Sequence, residues 1–145
     1  MTIGDEVDKL YRAHATYDAR RIAKDKKIDI LVMPLDSDTC GLTVRNSRFN
    51  TIILNELIEE NLQEYTLCHE LGHCVLHKQA STPFMRSVSV SSSIMRMEAE
   101  AHRFAFELLN RQYAELSLMS KEAIAEYFGL SLIHISEPTR LLSIS

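Results

Sequence analysis

Two histidines with a glutamate beside the first, His69-Glu70-Leu71-Gly72-His73, are the residues whose types and spacing most directly suggest chemistry in this chain. On a helix, residues four apart lie about 40° apart in rotation and about 6 Å apart in rise, so both imidazoles can bind one metal ion. Glu70 then stands about 100° round from His69, where its carboxylate can act as general base towards a water on that ion. From Tyr65 to His77 the segment holds leucines, cysteines and valine, and Glu70 is its only acidic or basic residue besides histidine. A carboxylate in a segment apolar all round is expected to be buried, and burial without a metal or a partner is costly or forces protonation.

Zinc needs a third protein ligand if one position is to stay open for water. The elongated motif H-E-x-x-H-x-x-G-x-x-H is excluded, because Leu76 and Gln79 stand where glycine and histidine are required. A downstream carboxylate is the remaining route, and helical periodicity separates the two candidates. Ile94, Met97, Ala101, Ala105 and Leu108 form one apolar stripe, with Glu98 on it. Glu100 falls on the opposite arc with Arg103, Glu107 and Arg111, at spacings that permit solvated ion pairs. Glu98 is therefore the carboxylate expected to face the core and to complete a set of His69, His73 and Glu98 around Zn2+.

Other candidates are weaker. His102, one turn beyond Glu98, either hydrogen-bonds a ligand from behind or packs at the edge of the core. His77 extends the row from His69 and His73, but three ligands in a straight row span about 12 Å, too far for one ion; an outer or structural role is expected. Cys68 and Cys74 each point about 100° away from the neighbouring motif histidine, and with Cys40 they form an odd set at no disulfide spacing, as expected of reduced, packed thiols. Tyr65 lies on the face of His69, where core packing is favoured over stabilising an oxyanion, and His14 reads as a packed or half-exposed histidine.

These groups must be positioned by a small set of elements. Residues 5 to 26 carry Val7, Leu10, Tyr11, Tyr17 and Ile22 at helical spacing and predict one amphipathic opening helix. Ile28 to Leu35, Gly41 to Val44 and Thr51 to Asn55 are short β-type runs, and with the turn-like Asn46-Ser47-Arg48 they predict a small antiparallel meander. Helices follow over Glu59 to Lys78 and Ile94 to Arg111, and a third over Ser120 to Phe128, with Ser120 as N-cap and Gly129 as stop. The alternating Ser87-Val88-Ser89-Val90-Ser91 between the two long helices reads as a surface linker, with an edge strand or a flap over the cleft as the alternatives. The fold class is α+β, a small antiparallel sheet packed with helices.

At 145 residues, one domain is expected, and 46% hydrophobic with 25% charged residues argues against a disordered or fibrous chain. Twenty acidic against sixteen basic residues give −4, so no nucleic-acid or membrane partner is suggested. No apolar run is long enough to span a bilayer, and the charged start excludes a secretory signal, so a cytoplasmic protein is expected.

HELGHCVLH, followed some twenty residues later by a segment containing EAEAHRFAFELL, resembles the ImmA/IrrE family of metallopeptidases. The resemblance runs from about Tyr11 to Gly129. It implies a zincin-like helix carrying HExxH, zinc ligands at His69, His73 and Glu98, a catalytic glutamate at Glu70, and action as an endopeptidase on a cognate helix-turn-helix repressor. His102 stands where the family usually has Asn or Asp, and Asn110-Arg111 where it often has Met-Pro. A non-catalytic, metal-stabilised module that grips a repressor or a toxin is the alternative, and Glu70 argues against it, since a structural site does not need that carboxylate. Ser131 to Arg140, SLIHISEPTR, resembles translated sequencing adapter. The expected organisation is a domain over residues 1–129, with part of its C-terminal end missing, and a non-native tail over 130–145; His134 is then no candidate ligand.

Overall fold

The computed structural model describes residues 1–46, 49–78, 84–85, 92–113, 120, 122, 123 and 126, with the backbone alone at 84–85 and 92–94. Its elements are α1 (Ile3–His14), α2 (Ala19–Asp25), β1 (Ile28–Met33), β2 (Thr39–Arg45), β3 (Asn50–Asn55), α3 (Glu60–Leu76), β4 (Phe84–Met85) and α4 (Ser92–Gln112). The α+β class holds, and two of the finer expectations are corrected.

The single opening helix is two helices. Thr2 and Asp5 form a reciprocal capping box at the start of α1, which ends at Ala15 in the left-handed region, φ 60°. Asp18 then starts α2 by accepting a hydrogen bond from the Arg20 backbone N–H at 3.1 Å. The apolar spacing survives the break because Tyr17 folds back, stacking on Tyr11 with ring centroids 4.5 Å apart. Its hydroxyl donates to Asp8, and Asp8 also takes Arg111 of α4 at 2.8 Å.

The sheet is mixed rather than antiparallel, in the order β1-β3-β2-β4. β2 pairs antiparallel with β3 and β4, but β1 pairs parallel with β3, Ile28 opposite Asn50 and Met33 opposite Asn55. The chain leaving β1 therefore crosses β3 to reach β2. Asn55 holds that crossing, accepting from the Leu35 N–H at 3.1 Å and donating to the Asp36 and Thr39 carbonyls at 3.0 and 2.8 Å. Asn46 and Phe49 close the β2–β3 hairpin, while the expected turn residues Ser47 and Arg48 lie outside the described residues.

α3 runs between the sheet and α4, and every residue from Tyr65 to Cys74 is buried, as its all-round apolar character predicts. Two glycines set how closely it is approached. A Cβ on Gly72 would stand 3.0 to 3.1 Å from Phe104 of α4, and one on Gly41 of β2 would stand 2.6 Å from Thr66 Cγ2 and 2.8 Å from the Ile53 carbonyl. Both neighbours of α3 thus come nearer than any larger residue allows. Ile22, Ile52, Leu54, Leu62, Leu67, Leu71, Phe104 and Leu108 fill the surrounding core.

Ser120 accepts from the Ala123 N–H at 3.1 Å, as an N-cap does, and Glu122, Ala123 and Glu126 are helical. The remainder of that predicted helix with Gly129, the stretch Ser87 to Ser91 and the tail from 130 lie outside the described residues. No helix among the described residues is long and apolar enough to cross a membrane.

Candidate metal centre

The buried middle of α3 brings His69, Glu70 and His73 together, with a ligand-type atom of each within 4.8 Å of the others. The four-residue helical step turns both imidazoles towards α4, where Glu98 meets them. Glu98 Oε1 lies 3.0 Å from His69 Nε2 and Oε2 lies 2.8 Å from His73 Nε2, so one carboxylate spans the two rings. Burial opposes its ionisation, yet the two imidazoles outweigh burial and hold its pKa well below the usual carboxylate range. His73 moves the opposite way: burial disfavours its charge, but Glu98 and Glu70 raise its pKa.

Glu70 is completely buried. Thr43 of β2 donates to its Oε1 at 2.7 Å, while Oε2 is buried with no hydrogen-bond partner. Burial pushes its pKa up to about 7, against the opposing pulls of His73 and Thr43. A buried carboxylate oxygen without a donor, two imidazole nitrogens on the two oxygens of one carboxylate, and the clusters His69–Glu70–His73 and His69–Glu98–His102, neither of which contains a thiol, form a donor set that suits a borderline cation such as zinc. The residues present therefore fit a metal ion, as the sequence motif predicts.

Beside the site, Glu100 departs from the reading of the sequence. Glu100 is not in the ion-pair arc: Arg103 and Arg111 both pair with Glu107, whereas Glu100 Oε1 lies 2.7 Å from His77 Nε2. His77 in turn places Nδ1 3.0 Å from His73 Nδ1, an outer position behind a motif histidine, as its spacing predicts. His102 is 3% exposed. Its ring lies 4.3 Å from that of His69, and its Nδ1 is 2.6 Å from the Tyr65 hydroxyl. His102 thus meets the expectation of packing against the core, and it offers a ligand-type atom within 4.8 Å of those of His69 and Glu98, while the hydrogen bond to Tyr65 is to a residue that is not an expected ligand. Tyr65 is a core residue whose hydroxyl engages His102, and burial raises its pKa well above the usual value.

Cys40, Cys68 and Cys74 are buried free thiols. Burial pushes Cys74 up to about 11 and Cys68 higher still, which keeps both as neutral, inert groups. His14 sits apart from the site, half-buried, with Nδ1 3.3 Å from Asp25.

Sequence reasoning missed Thr43 and Arg45. Arg45, at the end of β2, donates to the carbonyls of His73, His77 and Lys78 at 2.9, 2.7 and 2.8 Å, satisfying the open end of α3. Neither residue carries a local signal. Their place follows from the passage of β2 beneath α3, which no local pattern of residues states.

Residues 23–137 match the family described as the IrrE N-terminal-like domain, peptidase family M78. The chain is 30% identical over 103 residues, 71% of its length, to "Uncharacterized immunity region protein 2" of Bacillus phage phi105, and spans 65% of that protein. It is 31% identical over 137 residues to "Metallopeptidase ImmA" of Bacillus subtilis strain 168, which covers 88% of the chain and 78% of that relative. The match over most of the chain, together with the relative 31% identical over 137 residues, places this protein in the M78 peptidase family, the ImmA/IrrE family its motifs resemble.

Proposed function

We propose that this chain is a cytoplasmic, zinc-dependent endopeptidase whose substrate is a cognate helix-turn-helix repressor, and that its cleavage relieves repression of a phage or mobile element. The observation that carries the reading is the carboxylate of Glu98 bridging His69 and His73 beside the unpartnered Oε2 of Glu70. His69, His73 and Glu98 would hold the ion. Zinc, when bound, supplies a Lewis acid that polarises the scissile carbonyl and acidifies water. Glu70 takes a proton from the attacking water at Oε2 and passes it to the leaving amine as the C–N bond breaks, while Thr43 holds Oε1 and so orients the carboxylate. The relatives' names, a metallopeptidase and a phage immunity-region protein, support a peptidase of phage immunity-region type.

The test is incubation of the zinc-loaded protein with the repressor encoded beside it, followed by mass spectrometry of the products. Two fragments whose masses sum to the repressor plus one water are expected, and an intact repressor after prolonged incubation rejects the reading.

We also propose that the domain's share of this chain runs to Gly129 and that residues 130–145 are not part of it, against a family match that extends to residue 137. Residues 131–145 carry Leu132, Ile133, Ile135, Leu141 and Leu142 around Pro138 with no sustained period, and ordering them costs on the order of 1 kcal/mol or more per residue without matched burial. A chain ending at Gly129 should keep its metal content and melt within a few degrees of the full chain. Collapse of the shortened protein, seen by circular dichroism, counts against that boundary.

A further inference from the structure

We propose that His77 and Glu100 act as a positioning pair for His73, holding its imidazole in one tautomer and one orientation; the inference rests on the metal reading above. His77 stands just past the end of α3, where its backbone N–H donates to the His73 carbonyl at 2.9 Å. Its side chain is 9% exposed and both ring nitrogens are engaged, Nδ1 with His73 Nδ1 at 3.0 Å and Nε2 with Glu100 Oε1 at 2.7 Å.

The order of donors along this row follows from what each group can do. An ionised carboxylate only accepts, so the proton between His77 and Glu100 belongs to His77 Nε2. With its Nε2 proton directed at Glu100, His77 offers a lone pair at Nδ1, so the proton between the two rings belongs to His73 Nδ1. In the metal-free chain His73 Nε2 also donates, to the Glu98 carboxylate at 2.8 Å; an ion would displace that proton and take Nε2, while Nδ1 keeps its own. Each link fixes the next, from a half-exposed glutamate on α4 inwards to the imidazole on α3. Hydrogen bonding of the far nitrogen of a ligating histidine sets its tautomer and raises its basicity as a ligand.

The backbone under the pair is held as well. Arg45 Nη2 takes the carbonyls of both His73 and His77, so the segment bearing the two rings is tied to β2 and cannot swing with the frayed end of a helix. A histidine that merely fills space needs neither this anchoring nor partners at both nitrogens.

The experiment measures the zinc dissociation constant of the full chain by competition with a chromophoric chelator, for the wild type, His77→Phe, Glu100→Ala and Glu100→Gln. His77→Phe keeps the ring's bulk and removes both nitrogens. Together with Glu100→Ala it should weaken zinc binding about 10- to 100-fold, while Glu100→Gln, whose amide oxygen still accepts from His77, stays near the wild type. The visible absorption of the cobalt-substituted protein should change in His77→Phe, as expected when the tautomer and orientation of one ligand are released. Melting in excess chelator checks that each variant folds; if His77→Phe does not, the exposed Glu100 pair decides the question alone.

Tight zinc binding by the wild type with unchanged constants in His77→Phe and Glu100→Ala overturns the positioning role and leaves the metal reading intact. A Glu100→Gln variant as weak as Glu100→Ala assigns the effect to charge and overturns the hydrogen-bonded row. A wild-type chain that takes up no zinc overturns the metal reading and this proposal together.

Discussion

Glu70→Gln should abolish cleavage while leaving the fold and the zinc content intact. The amide keeps the shape of the side chain, and its oxygen can still accept from Thr43, but it cannot take a proton from water, and general-base catalysis of this kind contributes about 10²–10⁴-fold. The same variant has an opposite effect on the metal-free chain. Burial raises the Glu70 pKa to about 7 from the ordinary 4.5, so the carboxyl favours the folded state fully below pH 4.5 and loses that contribution as pH rises through 7. The full difference corresponds to on the order of 3 kcal/mol, and the cost of burying the amide's own N–H groups reduces the gain of the Gln variant to about 2 kcal/mol. In chelator at pH 8, Glu70→Gln should therefore melt several degrees above the wild type, and at pH 4, where only the amide's own burial cost remains, the wild type should melt slightly higher. Undiminished cleavage by the Gln variant ends the general-base assignment. Equal melting at pH 8 shows instead that the buried carboxylate is compensated by a group other than a metal.

Glu98→Ala should reduce bound zinc from about one per chain to background, whereas Glu100→Ala should still fill at saturating zinc. Glu98 spans both motif imidazoles; without it two histidines remain, one ligand short of the three protein ligands a zinc site with an open position uses. Among the described residues Glu100 hydrogen-bonds His77 and not His69 or His73, so its loss acts at one remove. The metal-free chain should respond too. Because the two histidines depress the Glu98 pKa, its carboxylate contributes stability above the ordinary carboxylate range, and that contribution is lost as pH falls through the folded-state value. Removing it leaves two buried imidazoles without their acceptor, at about 1–3 kcal/mol, so Glu98→Ala should also lower the melting temperature in chelator near neutral pH. Elemental analysis after gel filtration and melting curves with and without chelator report the two effects separately. Equal loss of zinc from the two alanine variants removes the basis for choosing Glu98.

What could be read from the chain alone was whatever depends on the geometry of one element. Helical spacing put His69 and His73 on one face, the apolar run from Tyr65 to Cys74 foretold a helix buried on all sides, and the stripe through Ala101 and Leu108 turned Glu98 inwards. Helical spacing also put His77 in line with His69 and His73 but too far along for one ion, in an outer or structural role. The partnering of elements was a different matter. Three β-type runs in succession suggest a meander, yet nothing local states that β1 lies parallel to β3; the crossing depends on Asn55 meeting the carbonyls of Asp36 and Thr39, 19 and 16 residues before it. Glu100 sits at ion-pair spacing from Arg103, but a helix that packs its neighbour across Gly72 brings it within reach of His77, and a compact carboxylate–imidazole contact replaced the solvated pair. Thr43 and Arg45 became part of the site only because Gly41 lets β2 pass close under α3. A residue's own helix or strand decides which way its side chain points, because that period is set by the backbone; which group it meets there is decided by how closely two elements can approach, and that distance is a property of the packed structure.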